Sequence, residues 1–379
     1  MFYLESLLIK GFRNYHYQQL QFNPRLNIIC GGNAQGKTNL LESIYYLSVT
    51  RSFRTRRDQE LVNWEEPLFY LKGIFYKYDL RNSIRISYRK NAQLKVKVND
   101  KAVSRYAHLQ QFPIVVFSPD DVLLIREGPS IRRRFLNLEA SRLSPQYFEE
   151  LRAYQRVLQQ RNNLLKKLYG RGSRQINELL EPWDETLVSL GSNIIHTRVK
   201  IIKYLEKEGK VFFENMTSSR ETISLEYAAS VEYSEAFNET KEIFRRRLEK
   251  AREIEIRKGS TVVGPHLDDL KIMINGYDSR KYSSQGQKRT AALSLKMAEV
   301  SLFRKEHNDC PIILLDDVFS EFDEKRKMHL LDFLRDNSGQ CFISTAIGID
   351  NLLESISSDY KTISIHQGRA SDEVSRPGN

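Results

Sequence analysis

The eight residues Gly31-Gly32-Asn33-Ala34-Gln35-Gly36-Lys37-Thr38 match the pattern G-x-x-x-x-G-K-[ST] without a gap. The pattern constrains everything around it, because it works only where a buried strand enters a small-residue loop and a helix leaves it. Both flanks comply: Leu26, Ile28, Ile29 and Cys30 form an apolar run ahead, and Leu40, Leu41, Ile44, Tyr45 and Leu47 recur behind at helical spacing. Small residues let the backbone curl so that its N–H groups converge on phosphate oxygens, and the helix N-terminus adds its positive end. Lys37 then reaches the outer phosphates and the Thr38 hydroxyl takes Mg²⁺. An ordinary glycine-rich turn is the alternative, and the strand and helix on either side weigh against it.

A second apolar run, Ile312-Ile313-Leu314-Leu315, has the form of a buried parallel strand and ends in Asp316-Asp317. In a phosphate-loop ATPase, Asp316 would hold Mg²⁺ through water and Asp317 would polarise the attacking water. Ser283-Ser284-Gln285-Gly286-Gln287-Lys288-Arg289 precedes a helix carrying Ala292, Leu293, Leu295, Met297 and Ala298. This segment resembles the signature motif of ABC-type ATPases. There a Ser hydroxyl, a Gly N–H and the helix N-terminus bind the γ-phosphate held by the opposite subunit, which assigns Ser284, Gln285, Gly286 and Gln287 to a site in trans. Ser320-Glu321-Phe322-Asp323 follows at the spacing of that superfamily's D-loop, with Ser320 and Asp323 its candidate residues.

The expected fold class is α/β: an ABC-type ATPase head of mixed sheets with a helical insertion, or lid, domain. Residues 1–118 would form the N-terminal part of the head, with a β-subdomain at about 69–103 whose second hairpin closes through Asn99-Asp100. Residues 119–258 are rich in Leu, Glu, Lys and Arg and read as the helical insertion, interrupted at Gly170-Arg171-Gly172-Ser173 and at Pro182. Residues 259–367 would complete the head, and 368–379 read as a frayed tail. Cys30, Cys310 and Cys341 share no metal-type spacing and read as buried small hydrophobes. No apolar run is long enough to span a bilayer and no leader-type cleavage site follows the N-terminus, so the expectation is a cytoplasmic, nucleoid-associated protein without a membrane partner.

About 245 residues separate Thr38 from Ser283, more than in transporter ATPases and fewer than in chromosome-structuring proteins with long coiled coils. Together with Lys10-Gly11-Phe12-Arg13-Asn14-Tyr15, Thr50-Arg51-Ser52-Phe53-Arg54, Phe117-Ser118-Pro119-Asp120-Asp121 and Val263-Gly264-Pro265-His266-Leu267-Asp268-Asp269, the chain resembles the RecF family of bacterial recombinational repair proteins. The resemblance implies an ATP-dependent homodimer, with Mg²⁺, that binds DNA at gaps or junctions and acts with RecR and RecO to load RecA. It also places Arg13 near the nucleotide phosphates and Asn39 beside the phosphate loop. Val263 to Asp269 reads equally as a structural turn or as part of the dimer interface.

Two departures stand out. The strand after the D-loop, Phe342-Ile343-Ser344-Thr345-Ala346, has no switch histidine, so γ-phosphate sensing falls to Ser344 or Thr345 or is weak, and the region Ser118 to Asp121 has no Q-loop glutamine. Fewer groups to position the water imply slow hydrolysis, a switch more than an engine.

With 59 Lys and Arg against 48 Asp and Glu, the formal charge is +11, which favours polyanions. Leu151 to Asn177 holds Arg152, Arg156, Arg161, Lys166, Lys167, Arg171 and Arg174 and no acid, so these are the candidate phosphate contacts, Arg152 to Lys167 above all. No recognition motif accompanies them, and binding should not depend on sequence. A transport-type ATPase subunit would have a short insertion and a switch histidine. A small-molecule kinase would leave Ser284 to Gln287 unexplained.

Overall fold

The computed structural model describes residues 2–77, 80–105, 112–168, 173–336, 339–346 and 359–373. Contacts divide the chain into two compact units, Met1–Val122 with Asn215–Ser218 and Ala292–Asn379, and Leu123–Glu214 with Ser219–Ala291.

In the first unit, strands β1 (Tyr3–Phe12) and β2 (Tyr15–Gln21) precede β3 (Leu26–Cys30) and helix α1 (Lys37–Val49). Then come β4 (Leu68–Lys77), β5 (Leu80–Arg89), β6 (Lys95–Val98), β7 (Lys101–Val103) and β8 (Ile114–Phe117). One sheet is antiparallel, in the order β2-β1-β4-β5-β6-β7. Its β6–β7 turn sits on Asn99 and Asp100 with φ of 46° and 67°, the left-handed pair that a two-residue hairpin turn needs. Alternation sends Leu4, Leu7, Ile9, Phe69, Leu71, Phe75, Ile84 and Ile86 to the inner face, where they are buried. Helix α1 contacts this sheet on one side and the strands of a second sheet on the other. Its residues Leu40, Leu41, Ile44, Tyr46, Leu47 and Val49 are consequently buried all round, without a solvent stripe.

The second unit carries α2 (Leu123–Arg126), α3 (Pro129–Leu143), α4 (Pro145–Leu168), α5 (Ser173–Thr217), β9 (Ile223–Ala228) and α6 (Phe237–Lys258). It continues through β10 (Asp269–Ile274), β11 (Tyr277–Asp278), α7 (Ser279–Tyr282) and the first turns of α8 (Gln285–His307). The insertion is therefore not purely helical: β9 pairs antiparallel with β10 in a small sheet ordered β11-β10-β9. Pro182 does not end a helix either. It lies inside α5, whose buried Leu180, Leu187, Val188, Ile194 and Ile195 hold the helix by packing across the missing N–H. Gly170 to Gly172 lie outside the described residues.

Back in the first unit, β12 (Ile312–Asp316), α9 (Glu324–Asp336), β13 (Cys341–Thr345), β14 (Tyr360–His366) and β15 (Arg369–Glu373) complete the second sheet, β15-β14-β3-β13-β12-β8. All its neighbours pair in parallel except β14 and β15. The expected frayed tail is thus a strand as far as Glu373, because the Gln367-Gly368 turn returns the chain onto β14; 374–379 lie outside the described residues. Cys310 and Cys341 are buried and Cys30 is half-buried, all as free thiols. No helix among the described residues is long and apolar enough to cross a membrane.

Candidate functional site

The loop Gly31–Gly36 leaves the carboxyl end of β3, in the middle of the parallel sheet, and opens α1. Its two outer glycines are obligatory. Gly31 has φ 151° and a Cβ there would lie 2.4 Å from the Ile365 carbonyl oxygen; Gly36 has φ 121° and a Cβ would lie 2.7 Å from Asn14 Nδ2. Lys37 Nζ donates to the carbonyls of Gly31 and Gly32 at 2.6 and 2.8 Å, across the loop's mouth.

Around Gln35 the loop is clamped from two ends of the chain. Asn14 Nδ2 donates to the Gln35 carbonyl at 3.0 Å, and the Gly368 N–H donates to the same oxygen at 2.9 Å. The Gln35 side chain accepts the Gln367 N–H at 2.7 Å, and its amide donates weakly to the Asn33 carbonyl. Tyr15 adds a hydroxyl to the Gly36 carbonyl at 3.1 Å. Ala34, at φ 61°, turns the loop tip.

Beneath the loop, β12 delivers its acids. Thr38 Oγ1 donates to Asp316 Oδ1 at 2.8 Å, and Ser344 Oγ, on the neighbouring β13, donates to the same oxygen at 2.9 Å. Burial raises the Asp316 pKa above its ordinary value, against the two hydroxyl bonds, which favour the carboxylate. Asp317 stands in the left-handed region at φ 51°, and its N–H donates to Ser344 Oγ at 3.0 Å. Ser344 therefore spends both halves of its hydroxyl on fixing the acid pair. Ser320 Oγ donates back to the Asp317 carbonyl at 2.7 Å, and Asp323 accepts the Arg326 N–H at 3.0 Å at the start of α9.

Arg13 is held against α1. Its guanidinium makes a bidentate pair with the buried Glu42 of α1, 2.8 Å on each arm, and a third bond to the Glu60 carbonyl. Its neighbour Asn14 touches the loop. Asn14 Oδ1 accepts from Asn39 Nδ2 at 2.8 Å, and Asn39 Oδ1 accepts from Arg54 at 2.9 Å. Asn14 and Arg54 both lie in segments singled out in the sequence, yet only the folded chain shows their role, since nothing in a linear reading pairs residue 14 with residue 35.

In the second unit Ser284 and Gln287 form a reciprocal cap on α8. The Ser284 N–H donates to Gln287 Oε1 at 2.7 Å, and the Gln287 N–H donates to Ser284 Oγ at 3.2 Å. Gln287 Nε2 is further tied to Glu221 at 2.5 Å. Ser284, Gln285 and Gly286 are exposed, and a Cβ on Gly286 would meet nothing nearer than Ser284 Oγ at 4.0 Å, so the helix start is open to a ligand.

The basic stretch divides by helical phase. Arg152, Arg156, Lys166 and Lys167 are exposed and fall within a sector of about 100° on α4, whereas Arg161, nine residues from Arg152, points about 180° away. Arg161 is fully buried, donating to Asp184 and Glu255 at 2.6 Å and to Thr261 at 2.7 Å. It is a core ion pair and no phosphate contact. The side chains of Arg171 and Arg174 lie outside the described residues. Asp268 and Asp269 are likewise structural: Asp269 takes a bidentate pair from Arg132, Asp268 accepts from Tyr227 and from the Ser230 N–H, and Arg198 donates to the Pro265 carbonyl. Within its unit, Val263–Asp269 is a turn held by these bonds, with Leu267 exposed at its tip.

The RecF/RecN/SMC N-terminal domain model matches residues 3–370. The DNA replication and repair protein RecF of Clostridium tetani is 39% identical over 97% of this chain and 98% of its own length. The chain belongs to the RecF family. The RecF protein of Halothermothrix orenii is 40% identical over 97% of this chain and 98% of its own length. A solved structure of the recombination mediator protein RecF with ATP, from the RecFOR pathway, superposes with a TM-score of 0.89 at 38% identity, covering 98% of both chains. The Smc head domain of Pyrococcus furiosus shares the fold at a TM-score of 0.55 and 15% identity.

Proposed function

We propose that this RecF-family chain is an ATP-gated, DNA-binding protein of recombinational repair and replication restart, and that it dimerises around two nucleotides. The observation that carries the reading is the Thr38–Asp316 hydrogen bond at the foot of the phosphate loop, which puts a hydroxyl and a buried carboxylate oxygen 2.8 Å apart. Two hard oxygen donors beside a phosphate cradle suit Mg²⁺, and a cation there would offset the desolvation of Asp316. When bound, Mg²⁺ supplies charge neutralisation at the outer phosphates. Residues 31–39 bind and orient the triphosphate, with Lys37 exchanging its loop carbonyls for phosphate oxygens. Asp317 takes the proton from the attacking water, and Ser344 holds it in place. Ser284 and the Gly286 N–H of a second copy close the site, with Ser320 and Asp323 at the junction.

Hydrolysis is slow, because Ser344 is committed to the acids and no histidine orients the water; its purpose is release. Duplex DNA or a junction lies against the exposed Arg152, Arg156, Lys166 and Lys167, without regard to sequence. Family membership adds RecO and RecR as partners in loading RecA. Equilibrium duplex binding with ATP tests the reading. Asp317→Asn should dimerise, hold DNA and not turn over, and Lys37→Met should show no response to ATP. DNA affinity indifferent to ATP in both variants and in the native chain would refute the gating.

A further inference from the structure

The phosphate loop is set by residues far from it in sequence, and the hydrogen bonds at two of its peptides show to what end. The Gln35 carbonyl accepts from Asn14 Nδ2 at 3.0 Å and from the Gly368 N–H at 2.9 Å. The next carbonyl, that of Gly36, accepts from the Tyr15 hydroxyl at 3.1 Å and from the Leu40 N–H at 3.0 Å. A carbonyl oxygen has two lone pairs, so both acceptors are full.

A full carbonyl fixes its peptide plane, and in a trans peptide the N–H leaves from the opposite edge. The two planes carry the N–H groups of Gly36 and Lys37, which are therefore turned away from Asn14, Tyr15 and Gly368. Lys37 is the first residue of α1, and the opening N–H groups of a helix have no partner within it. Tyr15 is buried, and burial raises its pKa, so the hydroxyl keeps its proton and donates. Gly368 belongs to the β14–β15 turn, where Gln367 gives its own N–H to the Gln35 side chain at 2.7 Å. That hairpin has an anchor on β2. The Gln18 side chain pairs with Ala370 of β15 as a strand residue would, accepting its N–H at 3.0 Å and donating to its carbonyl at 3.1 Å.

We propose that Asn14, Tyr15 and the Gln367-Gly368 turn are positioning residues that aim the Gly36 and Lys37 N–H groups at the nucleotide's phosphates before it arrives, with Gln18 holding the turn. The inference rests on the reading of residues 31–39 as the triphosphate site. Without these ties the two peptides are free to rotate, and binding must order them as it proceeds. The loss then falls on affinity, and on ATP and ADP alike, since the loop N–H groups cradle the α- and β-phosphates that both nucleotides carry. Turnover of bound ATP depends on Asp316, Asp317 and Ser344, which a different set of bonds holds in place.

The test is titration of the full chain with a fluorescent ADP and with ATP, beside steady-state ATP turnover. Tyr15→Phe, which deletes one hydroxyl, should weaken both nucleotides about fivefold and leave kcat at saturating ATP within about twofold of native. Gly368→Ala presses a Cβ onto the Asn14 carbonyl oxygen at φ 71° and should weaken both by more than about tenfold. Gln18→Ala, which frees the hairpin from β2, should weaken them in the same sense, so that the part played by the hairpin is measured even where Gly368→Ala fails to fold. Affinities of Tyr15→Phe and Gln18→Ala both within about twofold of native, or a loss confined to kcat, would overturn the inference. A native chain that binds neither nucleotide would overturn it together with the reading of the loop on which it rests.

Discussion

The Ser344 hydroxyl donates to Asp316 Oδ1 at 2.9 Å while its oxygen accepts the Asp317 N–H at 3.0 Å. A single side chain on β13 thereby sets the rotamer of one acid and the backbone of the other. Ser344→Ala should leave the Asp317 N–H without its partner, at a cost of about 1–3 kcal/mol in unfolding free energy. It should also slow ATP turnover while nucleotide affinity stays near native, because Lys37 and the loop are unaltered. Thermal unfolding and single-turnover hydrolysis measure the two effects. Native turnover in this variant would show that Asp317 is oriented by something other than Ser344.

Ser284 caps α8 from an exposed position and faces open space beside Gly286. Ser284→Arg would fill that space with a cationic chain. The variant should bind ATP with native affinity yet remain monomeric in sedimentation velocity, because its own phosphate loop is intact and only the half offered to a partner is blocked. Normal ATP-driven dimerisation would place the second half of the site elsewhere.

The exposed and buried arginines of α4 should separate cleanly. Replacing Arg152, Arg156 and Lys167 by Ala should reduce the salt slope of duplex binding by about 2 to 3, alike on unrelated sequences, without lowering thermal stability. Arg161→Ala should do the reverse. It leaves the buried Glu255 without its cation and Asp184 with Arg252 alone, and should cost about 3–5 kcal/mol of stability. A salt slope unchanged in the triple variant would move the duplex to another surface.

Asp121, on the turn after β8, accepts the Ser118 N–H at 2.7 Å, and burial pushes its pKa up to about 6 despite the Lys296 charge. The folded state therefore holds the proton to higher pH than the unfolded chain, whose ordinary value is 3.8. As pH rises between these values the unfolded state ionises first, so this group's contribution to stability declines across that window and stays low above it. Asp121→Asn removes the titration. The melting temperature of the variant minus that of the native chain should rise from pH 4 to pH 6 and then level off. A difference flat with pH would mean that Asp121 titrates normally.

The loop at Gly31–Thr38 and the acids at Asp316-Asp317 were legible because each is a short pattern welded to an apolar run, and the run fixes which end of a strand it occupies. The same local logic identified the hairpin at Asn99-Asp100. Arg161 was not legible from charge counting, because its fate depends on helical phase and on Asp184 and Glu255, which lie 23 and 94 residues away. Asn14 and Gly368 clamp one carbonyl from sequence positions 21 and 333 residues distant from Gln35, and no pattern in the chain announces such a meeting. Pro182 misled because local propensity was weighed without the packing that overrides it.

The strand that feeds the phosphate loop, β3, pairs with β13 on one side and β14 on the other. A ribosome has made the loop by residue 38 but supplies neither neighbour until it passes residues 345 and 366. Until then β3 has two open edges, and the Gln35 clamp lacks Gln367 and Gly368. The nucleotide pocket is therefore complete only once residue 368 has been made, and products terminated before it carry the motif without the clamp.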